Sequence, residues 1–267
     1  MDGNQTSARP KRILITGMSG LIGGLAGKAL APRYEIRALN RGPVGGVECV
    51  RADIADLAAI RPAFVGIDTV IHLAAYAVID HELERHVRTN IIGTYNVYEA
   101  SREAGVKRII VASSGSTMYY YETEEPYKAM VEARWADAPP PGPFMTHLMP
   151  PRPTGLYGAS KVWAEALGRY YSDAHGISVL CLRIGRVTKE DKPVDARHAA
   201  VYCSQRDIVQ MVEKCVEAPP SLRYDIFYAV SNNRGRFRDI EHARQVIGYE
   251  PLDGVPDWPL PPSGHRK

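Results

Sequence analysis

The chain predicts an α/β fold, a parallel sheet covered by helices on both faces. Three observations carry that expectation. Short apolar runs of strand length alternate with longer amphipathic stretches through the first two thirds of the 267 residues. The runs are apolar enough for strands buried on both sides. Three glycines also run from the end of the first strand into the start of the first helix, where the chain must turn tightly and approach a ligand closely.

The elements follow in order. Residues 12–16, reading RILIT, predict the first strand, and 21–31 the first helix. Further strands are expected at 35–39, 48–51, 69–73, 108–112, 178–182 and 224–230. Helices are expected at 57–64, 84–104, 157–175 and 207–217. The whole reads as a doubly wound sheet of Rossmann type with a small C-terminal substrate-binding region. Residues 1–10 are polar and read as a disordered lead, 11–250 as one domain, and 251–267 as a proline-rich tail without regular structure. Residues 119–154 break the rhythm. They hold three consecutive tyrosines, the pair Glu124 and Glu125, a proline-rich stretch, and Trp135, Phe144 and Met145. A long irregular insertion in a compact domain is usually functional, so this one predicts a lid or wall of a substrate pocket. Substrate-binding parts are therefore expected from 119–154 and 186–250.

Composition narrows the function. Apolar residues make up 45% and charged residues 24%, and the net charge is +3, too small to argue for nucleic acid. No apolar run reaches membrane-spanning length. The N-terminal stretch lacks the apolar core of a secretory signal. Cys49, Cys181, Cys203 and Cys215 show no metal-ligand or CxxC spacing and read as thiols in a reducing compartment, so a cytoplasmic protein without metal is expected.

Two motifs carry chemistry. Gly17, Gly20 and Gly23 give GxxGxxG between strand and helix. That spacing suits a tight turn, close approach to a pyrophosphate, and close helix-on-strand packing, with the free N–H groups of the helix start aimed at the phosphates. Residues 157–161 read YGASK, placing Tyr157 and Lys161 one helical turn apart on one face. A neighbouring ammonium favours the phenolate, so the expectation is a phenol of lowered pKa that takes or gives a proton at a carbinol carbon.

Together with Asp53 and Ile54 after the third strand, His72 to Ala75 after the fourth, Asn90 in the next helix and Ser113-Ser114 after the fifth, these motifs resemble the extended short-chain dehydrogenase/reductase superfamily, the NAD-dependent epimerase/dehydratase family. The resemblance spans about residues 11 to 250. It implies hydride transfer at a nicotinamide, with Tyr157 as acid/base, Lys161 orienting the ribose and lowering the phenol pKa, and Ser114 polarising the substrate oxygen. It implies a cofactor site of Gly17, Ser19, Gly20, Leu21, Ile22, Gly23, Asn40, Arg41, Asp53, Ile54, Leu73, Ala74, Ala75, Asn90, Tyr157, Lys161, Ile184 and Val187. His72 reads as structural, packed behind the cofactor. Within the family, residues 90–100, 155–161 and 182–185 are most similar to the uronate dehydrogenases. Those enzymes hold a sugar carboxylate with an arginine several residues before an S-x-x-D sequence. Arg197 stands at that distance before Ser204 and Asp207, and is the implied anchor.

The chain also departs from that pattern. Gly115 and Ser116 follow Ser114 where the uronate enzymes have Asn and His, Arg186 replaces a small serine, and the 119–154 insertion is longer. Ser114, Gly115, Ser116, Arg186 and Arg197 therefore predict the substrate pocket, and two arginines suit a carboxylate, phosphate or sulfonate. The second strand ends in Leu39-Asn40-Arg41 without the acidic residue of NAD-preferring members, which favours NADP over NAD and leaves dual use open. The leading function is an NAD(P)-dependent oxidoreductase acting on a CH–OH group of a sugar or sugar acid. A nucleotide-sugar epimerase or dehydratase with tightly held NAD, and an NADP-sensing regulator, are the alternatives. The partner is a small, anionic sugar derivative, with neither nucleic acid nor membrane. A homo-oligomer is expected, with Val87, Ile91, Val97 and Tyr98 serving core or interface.

Overall fold

The computed structural model describes residues 11–132, 134, 136–137 and 143–255. The expected lead at 1–10, Trp135 and all but the start of the proline-rich tail lie outside them. Seven strands form one parallel sheet: β1 Arg12–Thr16, β2 Glu35–Asn40, β3 Glu48–Arg51, β4 Thr69–His72, β5 Arg108–Ser114, β6 Ser178–Ile184 and β7 Tyr224–Ala229. Their order is β3-β2-β1-β4-β5-β6-β7. The order reverses between β1 and β4, so a crevice opens at the C-terminal ends of the strands there.

The strands are apolar on both faces because successive side chains point to opposite sides. Ile13, Ile15, Ile71, Ile110, Leu180 and Leu182 enter one core. Leu14, Val70, Ile109, Val111, Val179 and Cys181 enter the other. The first core packs under helices α1 Leu21–Leu30 and α8 Gln205–Glu217. The second packs under α2 Leu57–Phe64, α4 Gly93–Glu103 and α6 Leu156–His175. Val97 and Tyr98 are core residues with no exposure, whereas Val87 stands exposed.

Three elements differ from the sequence expectation. The helix expected over 84–104 is interrupted: a short α3, Leu83–Arg85, runs into a π-helical turn, His86–Ile92, before α4. Asn90 in that turn reaches back, its Oδ1 accepting from Tyr76 N at 2.8 Å and its Nδ2 donating to Tyr76 O and Ser160 Oγ, both at 3.0 Å. The insertion is less irregular than its composition implies. It opens in a 3-10 helix, Gly115–Thr123, continues in α5, Tyr127–Val131, and is sewn to the C-terminal part where Met145 N donates to Phe237 O at 2.7 Å and Asp239 N to Met145 O at 3.0 Å. Met118, Met130, Met145, Val201, Tyr228 and Phe237 make a third, smaller core there, beside the short α7, Ala196–Ala200. A further helix, α9 Glu241–Ile247, follows without strong sequence periodicity.

The register of α6 on the sheet is fixed at two points. Gly168 lies so close to its neighbours that a Cβ would stand 2.7 Å from the Tyr98 hydroxyl and 2.8 Å from Val179. One turn earlier, Glu165 takes both arms of Arg183, Nε and Nη2 each at 2.9 Å, and a third donor, Ser113 Oγ, at 2.5 Å. Arg183 also donates to the Tyr228 hydroxyl at 3.2 Å. Both charges are buried.

Removing one member of a buried pair leaves a desolvated charge. Arg183→Met is therefore expected to cost about 3–5 kcal/mol in denaturant unfolding. The double variant with Glu165→Met should recover most of that loss. A double-variant loss equal to the sum of the two single losses would show that the pair is not coupled.

Candidate active site

Two cavities meet at the crevice. One, of about 290 Å³, is lined by Gly17, Gly20, Leu21, Ile22, Gly23, Leu73, Ala75, Ser113, Ser114, Tyr157, Lys161, Ile184, Arg186 and Val187, among others. The other, of about 390 Å³, is lined by Ser19, Asn40, Arg41, Asp53, Ile54, Ala74 and neighbours. They share Gly17, Gly20, Leu73 and Ala75, which makes them two halves of one groove.

The glycine turn shapes the middle of the groove. Gly17 has φ 71°, and a Cβ on it would lie 2.8 Å from Ala74 N, so only glycine fits there. The N-terminus of α1 has no side-chain cap and no acidic residue in its first turn. Its unpaired N–H groups and positive dipole end thus remain free for an anion. A dinucleotide fits this groove: phosphates on the turn, one nucleoside towards Asn40 and Asp53, the other towards Tyr157.

At the adenosine-side end, Asn40 is held by Ser19, its Nδ2 donating to Ser19 Oγ at 3.1 Å and to Gly42 O at 3.2 Å. The Ala55 N–H donates to Asp53 Oδ1 at 3.0 Å and, with Arg88 on Oδ2 at 3.0 Å and Arg41 nearby, holds the carboxyl below its usual range. Arg88 belongs to no local motif, and sequence reasoning missed it.

At the other end, Tyr157, Lys161 and Ser114 come together as the spacing predicts. Ser114 Oγ accepts from Ser116 N at 3.1 Å and is hydrogen-bonded to the phenol. Lys161 Nζ donates to Ala112 O at 2.8 Å and lies 5.6 Å from the centre of the Tyr157 ring. The expected fall in phenol pKa does not occur in this arrangement. Burial pushes Tyr157 up to about 12, against the opposing hydrogen bond of Ser114. Burial also pulls Lys161 down to about 8. Desolvation disfavours the charged form of both groups.

Four expected residues do not line the groove. Asn90 lies behind it, with its amide spent on Tyr76 and Ser160. Gly115 and Ser116 sit one step beyond Ser114, and the buried Ser116 Oγ has no partner among the described residues. Arg197 is not a free anchor either. Its Nε donates to Glu122 Oε2 at 2.6 Å, and its guanidinium lies over the Tyr119 ring at 4.4 Å. Glu122, itself buried, gives its other oxygen to Arg238 Nη2 at 3.2 Å. The Arg238 guanidinium fills the space a side chain on residue 115 would need. Glu122 and Arg238 escaped the sequence reading. Gly115 and Arg238 lie 123 positions apart, and the i, i+3 row of Ser116, Tyr119 and Glu122 shows only once the segment is known to be a 3-10 helix, in which such residues eclipse.

Away from the groove, His147, Asp225 and His242 bring ligand-type atoms within 4.8 Å of one another. The two imidazoles are stacked, with centroids 3.7 Å apart and 16° between planes, and His242 Nε2 is spent on Asp225 at 2.8 Å. Lone pairs in parallel planes do not converge on one ion, so the group reads as a clasp holding the 143–149 segment to β7 and α9.

Comparison with known proteins agrees with this architecture. Residues 13–200 match the NAD dependent epimerase/dehydratase family. The chain is 35% identical to an NAD-dependent glucose-6-phosphate dehydrogenase of Haloferax volcanii, covering 92% of this chain and 95% of that protein. It is 34% identical to an L-arabinose 1-dehydrogenase (NAD(P)(+)) of the same organism, covering 91% and 96%. Among solved structures, a variant of the uronate dehydrogenase of Agrobacterium tumefaciens complexed with NAD superposes with a TM-score of 0.78 at 32% identity, covering 92% of this chain and 86% of that one.

His72 yields a test of the buried wall behind the groove. It is wholly buried between Thr16 Oγ1 at 2.8 Å and Thr94 Oγ1 at 3.1 Å, and burial, with Lys161 adding repulsion, holds its pKa down to about 3. The unfolded chain takes up a proton near pH 6.5 that the folded chain refuses until about pH 3. This contribution to stability is complete above pH 6.5 and is lost as pH falls towards 3. His72→Gln should flatten the acid limb of the stability curve by about 1.4 kcal/mol per pH unit in that window. An unchanged limb would mean that His72 protonates in the folded state.

Proposed function

The chain belongs to the NAD dependent epimerase/dehydratase family, and from that premise we propose that it is an oxidoreductase acting on a CH–OH group of a sugar or sugar acid. The observation that carries this reading is the meeting of Tyr157, Ser114 and Lys161 at one end of a groove shaped for a dinucleotide. A bound nicotinamide supplies hydride acceptance and donation.

The chain's own groups supply the rest. Ser114 positions the substrate oxygen beside the phenol. Tyr157 exchanges the hydroxyl proton. A phenol that holds its proton at neutral pH is ready as the acid for carbonyl reduction, and oxidation demands that it first lose that proton. Oxidation therefore gains from rising pH. Lys161, a buried cation below about pH 8, is placed to stabilise the phenolate once it forms.

For the cofactor we propose NADP as the preferred dinucleotide, with NAD also accepted. Arg41 and Arg88 flank Asp53 at the adenosine-side end, and no acidic side chain stands at Asn40 to repel a 2′-phosphate. A dehydratase is less favoured. Elimination would need a free carboxylate beside the serine, and Glu122 on that face is committed to two arginines.

Turnover of sugars followed by absorbance at 340 nm tests the reading. Tyr157→Phe should lower kcat by about 10²–10⁴-fold while dinucleotide binding persists. Near-full activity in that variant would remove Tyr157 from the chemistry. Arg41→Ala should shift the NADP-to-NAD ratio of kcat/KM towards NAD by about tenfold, the loss of one charge-assisted contact. An unmoved ratio would show that Arg41 faces solvent.

A further inference from the structure

We propose that the sugar recognised here is uncharged, and that Glu122 makes it so by occupying the place of a substrate carboxylate. The inference rests on the dehydrogenase reading above and adds the substrate class.

Arg197, the residue implied as anchor for an anion, is already engaged by Glu122 at 2.6 Å. The second oxygen of Glu122 is engaged by Arg238, whose guanidinium sits against Gly115 and donates weakly to its carbonyl at 3.4 Å. Glu122 and Arg238 are buried. The chain has thus built its own carboxylate–guanidinium contact where an acidic sugar would have brought one half of it. An incoming carboxylate or phosphate would have to displace a buried partner or lie beside it as a like charge. Such juxtaposition costs several kcal/mol.

The same helix also offers what an uncharged sugar needs. Ser116, Tyr119 and Glu122 are spaced three apart in the 3-10 helix that leaves Ser114, and such residues eclipse. The row therefore starts beside Tyr157, whose neighbour Gly158 packs so tightly on the Ser116 carbonyl that a Cβ there would lie 2.6 Å from it. The row offers a hydroxyl and a phenol, while the Glu122 carboxylate is held by its two arginines. The Ser116 hydroxyl is buried and unpartnered among the described residues, a state that a substrate hydroxyl would relieve. Donors and acceptors in sequence suit the adjacent hydroxyls of an aldose. The exposed Arg186 lines the cavity that holds both Tyr157 and Leu21 to Gly23, and its charge is assigned here to the dinucleotide phosphates.

The test is kcat/KM of the full chain, with NAD and with NADP, for D-glucose, L-arabinose, D-glucuronate and glucose 6-phosphate. The expected result is at least one aldose about tenfold or more above both anions. Preference for either anion would overturn the inference and leave the dehydrogenase reading standing. Turnover of none of the four, with dinucleotide binding intact, would remove the reading and the inference with it. Glu122→Gln keeps the size, removes the charge and leaves one of the two arginines without its acceptor. It should raise the glucuronate-to-aldose ratio by about tenfold or more. A folded Glu122→Gln enzyme, by circular dichroism, with the wild-type ratio would also overturn the inference. The wild-type panel stands alone if that variant does not fold.

Discussion

The bidentate pair between Glu165 and Arg183 sets the rotation of α6, and the groove's chemistry depends on that rotation. Tyr157, Lys161 and Glu165 are spaced four apart and so share a face. Glu165 is fixed to the sheet through Arg183 on β6 and Ser113 on β5. Lys161, one turn nearer the groove, is then brought to the Ala112 carbonyl at 2.8 Å, and Tyr157 to Ser114. Gly168 lets the other end of the helix sit against Tyr98 and Val179 without a side chain between them. A helix free to roll by one residue would turn the phenol out of the groove by about 100°, since successive helical residues are spaced 3.6 to the turn. The buried ion pair is thus less a source of net stability than a device for register, which is its best-supported use.

The same logic of paired charge governs the substrate side. Two cationic side chains, Arg186 and Arg197, invite the reading of an anion site from sequence alone. The structure distributes them differently. Arg197 shares one carboxylate from the insertion with Arg238, and Arg186 lines the cavity that holds both Tyr157 and the phosphate-binding turn. A count of charges near a site therefore says little until each has been assigned its partner. An arginine already gripping a buried carboxylate has spent the two parallel hydrogen bonds or the single strong one that would make it selective.

How much of this was legible depends on how local each signal is. The strands, the glycine turn, and the Tyr157–Lys161 spacing are properties of a few consecutive residues, and each stands where periodicity and turn chemistry put it. The break at His86–Ile92 was not legible, because the contacts that favour it run from Asn90 to Tyr76 and Ser160, and the latter lies 70 positions away. Composition misled at 119–154. Its tyrosines and prolines suggest irregular chain, yet Met118, Tyr127, Met130 and Met145 fill a small core with Tyr228 and Phe237. Glu122 and Arg238 could not be paired from sequence, since neither sits in a motif and they lie 116 positions apart.

Gly115 and Arg238 show how the departures from the family pattern hang together. Read singly, a glycine after Ser114 is the loss of a substrate contact. Set against the fold, it is the condition for Arg238 to enter, because a Cβ there would overlap the guanidinium. Arg238 in turn needs an anion, since its buried charge cannot stand alone. Glu122 supplies one from the 3-10 helix that begins at Gly115 itself. Arg197 completes the set from α7. One small residue after Ser114, one buried arginine and one carboxylate are therefore a single linked arrangement rather than three separate departures, and it leaves Arg197 paired within the chain.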